Sequence, residues 1–84
     1  MPTVTLWRVE QVSAARARSR SRIYAEIDAG LFPPPIKRGR KLSVWPSHEV
    51  DLINRAEIAG ATDDEIRTLV RQLIEQRSHA REAA

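Results

Sequence analysis

Arg18-Ser19-Arg20-Ser21-Arg22 sets three guanidinium groups at alternate positions with hydroxyls between them. An arginine fork can donate two parallel hydrogen bonds to a guanine edge, serine can meet several bases, and a small residue such as Ala25 can meet a thymine methyl. Further along, Lys37, Arg38, Arg40 and Lys41 crowd around Gly39 with no acidic neighbour. Four cations so close repel one another unless a polyanion lies against them, which suits a phosphate backbone or a minor groove; the alternative is a solvated basic turn that keeps edge strands from pairing. The pattern for catalysis is missing. No nucleophile–base–carboxylate set is suggested, and the only glycines, Gly30, Gly39 and Gly60, form no phosphate-cradling loop, so no enzyme is expected. Cysteine is absent, and His48 and His79 stand far apart, so neither a metal nor another cofactor is expected.

These residues need elements to hold them. Ser19 is a sound N-cap, Gly30 suits a left-handed helix end, and Pro33-Pro34-Pro35 forbids continuation, which predicts a short helix over 19–29. At 100° per residue Ile23 and Ile27 share a buried face, Ser21, Arg22, Ala25 and Asp28 take the opposite one, and Arg20 and Tyr24 flank it. A shorter helix over Glu10–Ala15, placing Val12 and Ala15 on the core, precedes it across a tight connection at Arg16–Arg18. Two helices joined in this way make a helix-turn-helix whose second member enters a major groove. Ile36–Trp45 reads as a β-hairpin with the cations at its tip and Ile36, Val44 and Trp45 inward. Thr3–Trp7 favours an extended entry strand, with Trp7 either packed at the core edge or stacked on a base.

Pro46–Ser47 begins a third helix, with Glu49 and Asp51 in its acidic first turn, Val50, Leu52, Ile53 and Ala56 toward the core, and Gly60 at its end. His48 is expected to be exposed. Thr62-Asp63-Asp64-Glu65 is a capping box, and the helix it opens carries Ile66, Leu69, Val70, Leu73 and Ile74 as one stripe, running to about Ser78 with an Arg71–Glu75 pair on its flank. That stripe either closes the domain or meets a second copy, and His79–Ala84 should fray.

The 84 residues suit one domain. Its charge is divided: residues 8–41 hold nine basic side chains against three carboxylates, and residues 42–84 hold five against eight. A basic half with an acidic counterweight fits a polyanion-binding face. No apolar run approaches the roughly 20 residues of a membrane span, and Met1–Trp7 does not read as a signal peptide, so a cytoplasmic, nucleoid-associated protein with no membrane partner is expected.

Taken together, Arg20-Ser21-Arg22-Ile23-Tyr24, then Gly30-Leu31-Phe32-Pro33-Pro34-Pro35, then Trp45 and Glu49-Val50 resemble the AlpA-like regulators of phages and prophages. The resemblance covers about Leu6–Asn54. It implies a small winged helix-turn-helix, related in fold to MerR-type winged helices and to excisionases: mainly α with a β-hairpin wing, core 6–54. The C-terminal amphipathic helix 62–78, read from its own capping box and stripe, is added to that core. The resemblance further implies a recognition helix 19–29 and a wing 36–45 on double-stranded DNA. Arg20 and Ser21 would contact the major groove, Tyr24 would brace a phosphate or the core, and the wing cations would sit on the backbone. The candidate DNA-binding set is thus Arg18, Ser19, Arg20, Ser21, Arg22, Tyr24, Ala25, Lys37, Arg38, Arg40 and Lys41. The family's turn carries a glycine and then an apolar residue before the serine, where this chain has Ala17 and Arg18. The expected role is a sequence-specific transcriptional regulator of mobile-element genes, acting as a homodimer or in a cooperative head-to-tail array. One alternative is an excisionase-like factor working with an integrase; another is a protein-interaction module using helix 62–78.

Overall fold

The computed structural model describes residues 5–83 and is a winged helix-turn-helix with an added C-terminal helix. The elements run β1 (Leu6–Trp7), α1 (Val9–Arg16), α2 (Arg20–Asp28), β2 (Ile36–Arg38), β3 (Leu42–Pro46), α3 (Ser47–Ile58) and α4 (Asp63–Ala83). Thr3 and Val4 of the expected entry strand lie outside the described residues; Leu6 and Trp7 do form a strand.

The wing is broader than a hairpin. β1 joins the other side of β3, giving an antiparallel sheet in the order β1-β3-β2, with Trp7 opposite Trp45 and Ile36 opposite Val44. Arg38 pairs with Leu42, so Gly39-Arg40-Lys41 is a three-residue loop. Gly39 opens it at φ 70°, a conformation that glycine enters without steric cost.

Val12, Ile23, Phe32, Trp45, Val50, Ile53, Ile66, Val70 and Leu73 make one core that draws on every helix and on β3. Trp45 is fully buried, donates its indole N–H to the Pro33 carbonyl at 2.9 Å and lies beside the Phe32 ring. That bond ties the proline segment leaving α2 to the sheet, so helix and wing are held as one body. The stripe of α4 closes this core through Ile66, Val70 and Leu73. The capping box forms in both directions: the Glu65 N–H donates to the Thr62 hydroxyl at 3.2 Å, and the Thr62 N–H donates to the Glu65 side chain at 2.9 Å.

Several expected placements differ. Leu52 and Ile74 are each 39% exposed, because each lies at the border of its helix's apolar arc. α1 runs one residue further at each end, and it buries Arg16 in place of Ala15, which is exposed. The three-residue connection to α2 moves accordingly by one position, to Ala17-Arg18-Ser19. Arg71 donates to the Thr68 hydroxyl at 3.1 Å, and the pair with Glu75 does not form. α4 continues past Ser78 to Ala83, where the polar residues have no breaker among them; Ala84 lies outside the described residues. The turn just before this extension has a tertiary anchor, since Arg77 Nε donates at 2.9 Å to the buried Glu49 carboxylate in α3. No described helix is long and apolar enough to cross a membrane.

The turn between α1 and α2 depends on one uncommon backbone conformation. Ala17 sits at φ 54°, ψ 42°, and Arg18 closes back on the Ser13 carbonyl through a 3.1 Å N–H···O bond. A Cβ in the left-handed region costs roughly 1–2 kcal/mol, partly offset because alanine has less freedom to lose than glycine. Ala17→Gly is therefore expected to stabilise the fold by about 0.5–1 kcal/mol, read as a higher urea midpoint at unchanged slope. A lower midpoint would contradict it.

Candidate nucleic-acid interface

Ser19 starts α2 by accepting the Arg22 backbone N–H at 3.2 Å, and no acidic residue occupies the first turn. The N-terminal end of α2 is therefore positive from its backbone as well as from its side chains. Ser21, Arg22, Ala25 and Asp28 are exposed on the outer face, and Ile23 is buried on the inner one. Tyr24 is 42% exposed, with its ring edge-to-face against Trp45 at a centroid distance of 6.2 Å. Packing thus holds the ring on one side while the residue stays partly exposed. At the other end of α2, Arg67 from α4 donates to the Ala29 carbonyl at 3.0 Å and lies along Gly30, a cation where the helix dipole is negative.

The arginines expected to bind are not equivalent. Arg18 is clamped at 2.9 and 3.0 Å to the two carboxylate oxygens of Glu57 and also reaches Glu26. Its hydrogen bond holds the Glu57 carboxyl below the ordinary carboxylate range. Arg22 extends outward but touches Glu26 at 3.4 Å through an i,i+4 contact. Arg20 pairs with Glu10 of α1 at 2.7 Å, both side chains well exposed. Among the described residues Lys37, Arg38, Arg40 and Lys41 have no carboxylate partner and are exposed.

A cleft of about 240 Å³ opens between the start of α1, the start of α2 and the wing. Its lining brings Arg20, Tyr24 and Lys41 together with Arg8, Glu10 and Ser43. Ser19, Ser21, Ala25, Lys37, Arg38 and Arg40 lie outside it, along the helix face and the wing. Arg8 and Glu10 escaped the sequence reading because their relevance depends on α1 and the wing flanking the same end of α2. Beneath this face, Arg16 donates to Glu26 at 2.9 Å, Glu57 at 2.8 Å and Asn54 at 2.9 Å, with the Phe32 ring centroid 5.0 Å from its guanidinium carbon. Arg16–Glu26 and Glu10–Arg20 are each ten residues apart across the turn, a spacing that no helix or strand periodicity marks.

The family model for the prophage CP4-57 regulatory protein (AlpA) matches residues 5–52, a span that takes in β1, α1, α2, the wing and the first half of α3. Neither the curated proteins nor the solved structures include a match.

Proposed function

Since the chain belongs to the AlpA family of prophage regulatory proteins, we propose that it is a sequence-specific double-stranded DNA-binding transcriptional regulator. On this reading α2 enters the major groove, and the wing tip lies on the adjoining backbone or minor groove. The observation that carries the reading is the cleft lined by Arg20 and Tyr24 of α2 and Lys41 of the wing, the same wing that exposes Lys37, Arg38 and Arg40. Arg18 serves chiefly as a strut, because binding DNA would require it to leave Glu57.

Arg20 reads a base, and the wing cations neutralise phosphates. Arg20→Ala should weaken binding to the preferred duplex by about 1–3 kcal/mol and relax preference at that position. Lys37→Ala and Arg40→Ala should each lower the slope of log affinity against log salt by about one without changing preference. Random-duplex selection, footprinting of the best site and titrations across salt concentrations test these roles together. No duplex binding at low salt would overturn the proposal. Protection of an attachment site with altered integrase products would redirect it to an excisionase-like function. Half-sites about one helical turn apart would indicate a symmetric dimer, and tandem repeats a head-to-tail array.

A further inference from the structure

Among the described residues lining the cleft, Glu10 is the only carboxylate, and it stands among Arg8, Arg20 and Lys41. It accepts a 2.7 Å hydrogen bond from Arg20 Nη2 with both side chains about two-thirds exposed, at 63% and 66%. A pair so open contributes little to folding. Its backbone hydrogen bond at the start of α1, opposed by some desolvation and reinforced by Arg20, holds the carboxyl below its ordinary value of 4.5. Glu10 is therefore negatively charged at neutral pH, on a surface otherwise suited to polyanions.

That charge acts in opposite directions on the two kinds of DNA contact. A phosphate entering the cleft would meet three cations but also the Glu10 carboxylate, which repels it. A guanine edge brings neutral acceptors, which a guanidinium anchored at one nitrogen can meet with the rest of its fork. We infer that Glu10 is a specificity-determining positioning residue: it orients Arg20 toward a base edge and disfavours binding through phosphates alone. This rests on the DNA-binding reading above. Non-specific binding is phosphate-driven, so the effect should be concentrated there.

The test compares wild type, Glu10→Gln, Arg20→Ala and the double variant. Each is titrated on the duplex selected by the wild-type chain and on a scrambled duplex of equal length, with circular dichroism verifying the fold. Glu10→Gln should tighten scrambled binding and reduce the selected-to-scrambled affinity ratio about fivefold. In the Arg20→Ala background it should still tighten scrambled binding while leaving the ratio unchanged, because its effect on base reading passes through Arg20. An unchanged ratio in the wild-type background, or an equal fall without Arg20, would overturn the inference while leaving the DNA-binding reading intact. Failure of the wild-type chain to bind any duplex at about 50 mM salt would instead remove both.

Discussion

Leu73→Asp is expected to abolish the cooperative unfolding transition of this chain. Leu73 is 1% exposed and lies in α4, in the core that also contains Ile53, Ile66 and Val70. Removing its side chain alone should cost about 2–5 kcal/mol, and an unpaired carboxylate in its place adds a desolvation penalty of several more. A domain of this length has on the order of 4–12 kcal/mol in total at typical values per residue. The substitution therefore removes most or all of what is available. Circular dichroism through a thermal ramp should show lost helix and no sigmoidal transition. Ile74→Asp is the control: the neighbouring position is 39% exposed and should retain the fold at a cost near about 1 kcal/mol. A folded Leu73→Asp protein that merely sedimented as a smaller species would mean that the stripe serves self-association instead.

The second large effect lies in the charge network under the turn. Arg16 and Glu26 have side chains 1% and 7% exposed, and their 2.9 Å contact joins α1 to α2. Arg16→Ala should cost about 2–4 kcal/mol, because it removes the innermost cation from the buried Glu26 carboxylate, leaving it only Arg18 and Arg22, and opens a void against Phe32. Arg16→Met combined with Glu26→Leu should recover most of that loss, since replacing a buried pair by packed apolar groups is often neutral or stabilising. Urea denaturation of the singles and the double gives the coupling directly. A cost below about 1 kcal/mol for Arg16→Ala would show that the buried network is not what holds the turn.

Arg16 also shows where sequence reading stops. In the chain it is one more cation in a basic run; in the fold it faces inward, and with Arg18 it meets Glu57, about forty residues away. The candidate surface was legible in outline, because Arg20, Ser21, Arg22 and the wing cations follow from a capped helix and a glycine turn. Its internal ranking was not, because carboxylates from α1, α2 and α3 decide which arginines remain available.

What the sequence by itself determined about Ser19–Phe32 was the helix, its cap, its basic end and its buried Ile23, all set by interactions within a few residues. The same short-range physics specified the wing loop at Gly39 and the capping box at Thr62. Only the tertiary structure decided that α4 closes the core, that β1 completes the sheet, that Arg18 is clamped to Glu57 and that Glu10 pairs with Arg20. Those outcomes depend on contacts between distant segments, whose partners are chosen by packing geometry, and neither spacing nor residue type encodes that geometry locally.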